Sequence, residues 1–201
     1  MAAMDKIAAI ILAAGKASRF RAADLGAATK VVALYRGEPM VRRAALAALA
    51  AGASPVVVVT GCEPDAVGVA LDGLTVSFAH NELYESGIAS SLIAGIAAVP
   101  NDIRAAFIML GDMPLVDAAL LQSLAKAFDA DAQADAVVPV HDGQRGNPVL
   151  LGRSLFARAA QLKGDEGARR LLRDPALRII EVEASAAAAL DIDTPDALKD
   201  A

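Results

Sequence analysis

The chain is poor in aromatic side chains, cysteine and histidine. Aromatics make up 3% of its 201 residues, although 56% are hydrophobic. A core with so few large rings has to be built by helices packed closely on a sheet. Cys62 is the single cysteine. It excludes an internal disulfide and a cysteine-rich metal site, suits a reducing compartment, and has no neighbour that argues for an activated thiolate. His80 and His141 are the two histidines; they lack metal-ligand spacing and read as loop residues. No Ser-His-Asp signature is present. Cations are in deficit, with 19 Lys and Arg against 24 Asp and Glu and a net charge of −5. That balance argues against nucleic acid or an anionic membrane surface as the main partner. Any anionic ligand must meet a local cluster of cations. No uninterrupted apolar run reaches roughly 18 residues, so no membrane span is expected. Lys6 and the short apolar run behind it have the outline of a leader peptide, but Asp5 and the shortness of the run argue against one. The expected location is the cytoplasm.

What is present is an alternation of strand and helix signals. Strands are expected at Ile7–Leu12, Val56–Val59, Leu74–Ala79, Ala105–Leu110, Ala136–Val140, Pro148–Leu151 and Leu177–Glu183. Helices are expected at Pro39–Ala51, Pro64–Leu71 and Ile88–Ala98, and from an Asp117 cap to about Phe128. Shorter ones are expected near Ser154–Ala160, Asp165–Leu172 and after Asp191-Ile-Asp-Thr-Pro195. His141–Gly146 reads as a turn. Repeated β-α-β units imply an α/β fold, a mostly parallel sheet with helices on both faces. With no linker or internal repeat, residues 1–201 are expected to form one domain. Ligands of such sheets bind beyond the carboxyl ends of the strands. The loops after the early strands, including Thr60-Gly61, His80-Asn81 and Gly111-Asp112, should therefore gather along one edge.

Three of these loops carry chemistry. The first strand breaks into Ala13-Ala-Gly-Lys-Ala-Ser-Arg-Phe20. Small residues let the backbone approach a polyphosphate, and Lys16, Arg19 and the later Lys30 supply positive charge. The spacing is neither a Walker A loop nor Gly-x-Gly-x-x-Gly, and a plain strand-to-helix turn is the bland alternative. Asp112, at the end of a buried strand, is placed to bind Mg²⁺, which takes a few carboxylate oxygens, waters and phosphates. Its alternative is a turn carboxylate that caps local N–H groups. Asp191 and Asp193 are candidates for a second ligand, or an N-cap. Arg145 and Asn147, in a tight turn, could hold a phosphate or simply top a surface hairpin. Gly164-Asp-Glu-Gly-Ala-Arg-Arg170 reads as a capped helix start.

In order along the chain stand Leu-Ala-Ala-Gly-x-x-Ser-Arg-Phe20, Lys30, Val-Thr-Gly61, Asn81-x-x-Tyr-x-x-Gly-x-x-x-Ser-Leu92, Gly-Asp-Met-Pro114, Gly-Asn-Pro-Val149, Gly-Asp-x-Gly-Ala-Arg169 and Asp-Ile-Asp-Thr-Pro-Asp196. This set resembles the nucleotidyltransferase family of the molybdenum cofactor cytidylyltransferases over nearly the whole chain. Each motif is weak alone; order and spacing make the set specific. The resemblance implies a Rossmann-like three-layer α/β/α sandwich, the nucleotide-diphospho-sugar transferase fold. It implies transfer of a nucleotidyl group from a nucleoside triphosphate, CTP favoured by the Ala-Ala-Gly form of the loop, to a molybdopterin-type phosphate with release of pyrophosphate. A molybdenum-containing oxidoreductase or its chaperone is the implied downstream partner.

The same resemblance assigns residues. Leu12, Ala13, Ala14, Gly15, Lys16, Ser18 and Arg19 form the nucleotide loop, and Lys30 its cation. Thr60, Gly61, Asn81, Gly87, Ser90, Ser91, Gly111 and Asp112 complete the nucleotide site. Arg145, Gly146, Asn147 and Asp165 are expected at the acceptor, and Asp112 and Asp191 at Mg²⁺. Arg19, Lys30 and Asp112 are the expected catalytic groups. One departure is a long spacer between Arg19 and Lys30, and Val-Val-Ala-Leu-Tyr35 lacks the proline often found there. A sugar phosphate as acceptor, or a nucleotide-binding protein that delivers cofactor without turnover, are the competing expectations.

Overall fold

The computed structural model describes residues 4–15 and 29–188. Lys16, Ser18, Arg19, Asp191, Asp193 and the last expected helix lie outside them. The chain opens with β1 (Ile7–Leu12), then a small hairpin of β2 (Leu34–Tyr35) and β3 (Glu38–Pro39) leading into α1 (Met40–Ala51). There follow β4 (Val56–Thr60), α2 (Pro64–Ala70), β5 (Ser77–His80), α3 (Ile88–Ala97), β6 (Ala105–Leu110) and α4 (Ala118–Ala130). The later elements are β7 (Ala136–His141), β8 (Gln144–Arg145), β9 (Val149–Gly152), α5 (Phe156–Ala159), α6 (Ala168–Leu171) and β10 (Ile179–Glu183).

The main sheet runs β10-β7-β9-β6-β1-β4-β5, with β8 attached to β7. β1 pairs in parallel with β4 on one side and β6 on the other, so Leu12 lies between Val59 and Leu110. β9 is antiparallel to both β6 and β7. The chain steps outward from β1 through β4 to β5, then crosses back to place β6 on the far side of β1. Strand order therefore reverses beside β1. In open α/β sheets that reversal leaves a crevice at the carboxyl ends of the strands, the usual place for a ligand.

Alternate residues of β1 face opposite layers. Ile7, Ala9 and Ile11 pack with residues of α1, α2 and α4, whereas Ala8, Ile10 and Leu12 pack with those of α3, α5 and α6. The central strands are apolar at every position because both faces are covered. The result is the expected three-layer sandwich. Alanine lets the helices lie close: Ala44, Ala45 and Ala48 of α1 are wholly buried. Gly95 takes this furthest. A Cβ there would fall 2.3 Å from Ile10 Cγ2 and 3.0 Å from Val59 Cγ2.

The caps follow the sequence. The Asp117 carboxylate accepts from the Leu120 N–H at 2.8 Å, and Gly52 ends α1 with φ +93. Three expectations need correction. The β2–β3 hairpin was not foreseen; its turn residues Arg36 and Gly37 both have positive φ, as a two-residue hairpin turn requires. Its Tyr35 ring is buried beneath the Arg36 and Arg43 guanidinium groups, at 5.1 and 5.3 Å. His80 and His141 are the last residues of β5 and β7 rather than loop residues. The strand expected at Leu74–Ala79 runs instead over Ser77–His80, because the N–H groups of Leu74 and Val76 are taken by the turn after α2, donating to the Leu71 and Leu74 carbonyls.

Packing and charge yield three stability predictions. Gly95→Val should lower the unfolding free energy by at least about 2 kcal/mol through overpacking. Gly68→Ala in α2, where a Cβ meets nothing within 4 Å, should raise it by about 0.5–1 kcal/mol. Urea unfolding midpoints of the two variants check both signs. At the end of α4, Arg178 Nε donates to Asp131 at 2.6 Å and the Gln133 N–H donates at 3.0 Å. These bonds, the Arg178 side chain first, hold the Asp131 carboxyl below its ordinary 3.8. The folded value is the lower one, so the stabilisation is present above the unfolded pKa and is lost as pH falls through the folded pKa. Stability of Asp131→Asn measured against pH should therefore decline less steeply below about pH 4 than that of the parent.

Candidate functional site

The crevice beside β1 is built by the ends of adjacent strands. The Gly111 N–H donates to the Leu12 carbonyl at 3.0 Å, and the Ala13 N–H donates to Val59 at 2.9 Å. Gly111 admits this approach: a Cβ there would meet the Leu12 carbonyl and Val31 Cγ1 at 3.2 Å. Asp112 follows directly, at the carboxyl end of β6. The turn at Lys30–Val32 brings Lys30 across to it, and Lys30 Nζ stands 2.7 Å from Asp112 Oδ2. The lysine side chain is 10% exposed and the aspartate 20%. A cation and a carboxylate are thus held together at the wall of a cavity of about 440 Å³. Leu12, Ala14, Gly15, Gly87 and Ser91 line the same cavity, as does Asp165.

Other expected nucleotide residues build the wall instead of lining it. Asn81 is buried, and its Nδ2 donates to Ser90 Oγ at 2.8 Å and Ser91 Oγ at 3.0 Å. Its Oδ1 accepts from the Leu83 N–H. Ser90 Oγ in turn donates to the carbonyls of Leu83 and Gly87. Asn81 and Ser90 therefore fix the loop before α3, and Ser91 alone of the three lines the cavity. Thr60 sits behind that loop, its Oγ1 3.4 Å from His80 Nδ1. Gly61 lets Tyr84 close on the first loop, since a Cβ would fall 2.6 Å from Tyr84 Cβ and 2.9 Å from Ala14 Cβ. Ala13 is buried beneath the crevice.

A second cavity of about 600 Å³ adjoins the first and shares Leu12, Ile88, Leu110 and Asp165 with it. Arg145, Gly146 and Asn147 line it, so the expected acceptor residues converge there with Asp165. Two glycines hold this arrangement. Gly87, with φ +110, lies so close to the Gly164 carbonyl group that a Cβ would overlap it at 2.2 Å. Gly146 approaches the Ala188 carbonyl to the same degree. Arg145 differs from expectation. Its Nε donates to Glu181 at 2.7 Å and its Nη1 to the Leu172 carbonyl at 3.0 Å. Its charge is answered within the protein, and the residue ties the hairpin to β10 and the segment after α6. Arg169, Arg170 and Arg173, not among the expected site residues, also line this cavity. Their signal was three cations in five positions of an acidic chain.

The decisive comparison is with a domain family. The MobA-like NTP transferase domain matches residues 9–182. The chain belongs to that family. Among curated relatives it is 33% identical over 155 residues to the bifunctional protein GlmU of Sorangium cellulosum. That match takes in 74% of this chain and 31% of GlmU, so the chain spans about a third of that relative. It is 28% identical to the molybdenum cofactor cytidylyltransferase of Escherichia coli, across 60% of this chain and 59% of that protein. Among solved structures, Rv0371c of Mycobacterium tuberculosis superposes with a TM-score of 0.83 at 26% identity, covering 96% of each chain. Rv0371c has also been solved with manganese, at a TM-score of 0.77 and 25% identity over 96% of each chain. Among the described residues of this NTP transferase, no helix is long and apolar enough to cross a membrane.

The ion pair refines how Asp112 should be tested. Asp112→Ala leaves the Lys30 cation largely buried without its carboxylate, at a cost of about 3–5 kcal/mol. Asp112→Asn keeps an oxygen for Lys30 and should cost less stability than Asp112→Ala. It should still reduce nucleotidyl transfer by about 100-fold or more. Chemical denaturation and turnover of the two variants separate the roles; near-parental turnover of Asp112→Asn would remove Asp112 from the chemistry.

Proposed function

We propose that this NTP transferase moves the cytidylyl group of CTP onto the phosphate of a molybdopterin-type acceptor and releases pyrophosphate. The observation that carries the reading is the Lys30–Asp112 pair at the strand-order reversal, beside the small-residue loop Leu12–Gly15. The Ala-Ala-Gly form of that loop and the cytidylyltransferase named among the relatives favour CTP and a pterin. The product would pass to a molybdenum-containing oxidoreductase or its chaperone.

The two cavities separate the reactants. The nucleotide takes the one that holds Lys30 and Asp112, and the acceptor takes the one beyond Asp165. At their shared lining, Leu12, Ile88, Leu110 and Asp165, the acceptor phosphate would meet the α-phosphorus. An oxygen of that phosphate forms the new P–O bond as the bond to pyrophosphate breaks in line. A phosphomonoester is largely dianionic near neutral pH, with a second pKa of about 6. No general base is needed. Lys30, drawn from Asp112 by the arriving triphosphate, would stabilise charge on the departing pyrophosphate, with Arg19 as its expected companion. Positioning and electrostatics supply the catalysis.

The donor set suits Mg²⁺. Asp112 offers a hard carboxylate oxygen at the cavity wall, Asp165 stands on the same wall, and Asp191 is the second expected ligand. Mg²⁺ usually takes one or two carboxylates and fills its shell with waters and substrate phosphates. When bound, the ion would neutralise phosphate charge so that two anions can approach.

Pyrophosphate release with Mg²⁺ tests the reading, with CTP, GTP, ATP and UTP each offered beside molybdopterin and a panel of sugar 1-phosphates. Release with CTP and molybdopterin is expected. Release with a sugar phosphate would keep the mechanism and replace the acceptor. Silence across the panel with nucleotide bound would favour a binding and delivery protein.

A further inference from the structure

Four arginines line the acceptor cavity, and they are not equivalent. Arg145 is engaged by Glu181 and the Leu172 carbonyl. Arg170 faces Glu166 at 3.4 Å, one helical turn away. Arg169 and Arg173 have no ion pair or side-chain hydrogen bond among the described residues. They stand four positions apart, Arg169 within α6 and Arg173 two residues beyond it, and both line the cavity. Neither lines the adjoining cavity of Lys30 and Asp112. Much of the remaining lining is aliphatic, with Ile88, Leu92, Ile108 and Met113. Two unanswered cations beside aliphatic surface, in a chain of net charge −5, are a local reversal of the protein's overall charge.

We infer that Arg169 and Arg173 hold a second anionic group of the acceptor, at the end remote from the phosphate that reacts. The inference rests on the two-cavity reading of nucleotidyl transfer above. The reacting phosphate must reach the boundary marked by Leu110 and Asp165, because the triphosphate lies beyond it. Arg169 and Arg173 line the acceptor cavity and not the boundary it shares with the nucleotide cavity, so the anion they hold is taken as a different group. The acceptor is thus anionic at both ends, with an apolar or ring-shaped body between them. A simple sugar 1-phosphate satisfies one end only. Guanidinium groups are suited to the task, since each can donate two parallel hydrogen bonds to a phosphate or carboxylate. Arg169 and Arg173 are then specificity-determining residues, and Arg145 is a positioning residue that secures the cavity wall.

Isothermal titration of the whole chain, loaded with Mg²⁺ and an α,β-methylene analogue of CTP, tests this without turnover. The probes are glucose 1-phosphate and glucose 1,6-bisphosphate, which differ by one phosphate at the far end. The bisphosphate should bind at least about tenfold more tightly, the effect of one charge-assisted contact. Arg169→Ala and Arg173→Ala should each remove most of that preference and leave affinity for the CTP analogue unchanged. Arg169→Lys and Arg173→Lys should restore part of it. Lys126→Ala, which removes an exposed cation on α4, should not alter it. Equal affinity for the two probes, or a preference that survives both alanine variants, would overturn the inference. The readout is binding, so it is separate from the transfer reading, which fails only in the pyrophosphate assay.

Discussion

Lys30 and Asp112 are distant in sequence and arrive at one point for different reasons. Asp112 is carried there by β6, whose pairing with β1 is fixed residue by residue from Ile7 opposite Ala105 to Leu12 opposite Leu110. Lys30 is carried by a short turn that packs Val31 into the core. The ion pair they form is largely shielded from water, so each charge depends on the other. That dependence is a functional opportunity. A triphosphate can replace the carboxylate as partner of the lysine, and the released carboxylate can serve a divalent ion. Binding of nucleotide and rearrangement of charge then become one event.

The supporting structure serves this point. Parallel pairing on both sides of β1 brings Gly15, Gly61 and Gly111 to one edge, and close packing across glycine keeps the loops in register. Asn81 is the clearest example of a polar side chain that works through others. Its amide holds Ser90 and Ser91, and its oxygen holds the Leu83 N–H. The contact between Gly87 and Gly164 docks the α6 segment against the start of α3, so Asp165 reaches both cavities. The second cavity is therefore assembled on the first and not independently of it.

Much of this architecture could be read in the residues. Apolar strands without alternation, such as Val56–Val59, announced a sheet covered on both faces. Asp117 and Gly52 marked helix ends by local chemistry that survives in the fold. The Asp112 and Gly15 loops were legible because each follows a buried strand directly. Side-chain partners were less legible, because they depend on distant segments. Arg145 looked available in its turn, but Glu181 of β10 engages it. Asn81 looked like a ligand contact, but its partners are Leu83 and two serines of α3. The β2–β3 hairpin was hidden because Arg36 adopts a left-handed conformation unusual for its type. Gly164–Arg170 read as a capped helix start, and nothing local to Arg169 and Arg173 announced the cavity that both line.

The exchange of partners by Lys30 is the central claim, and Mn²⁺ affinity measured by electron paramagnetic resonance tests it most directly. The whole chain would be titrated with Mn²⁺ with and without CTP, alongside Asp112→Asn. The account predicts weak binding of the ion alone, binding tightened by CTP beyond the affinity of free CTP for Mn²⁺, and loss of that gain in Asp112→Asn. Equal Mn²⁺ affinity with and without CTP, or an Asp112→Asn variant that retains the gain, would contradict it.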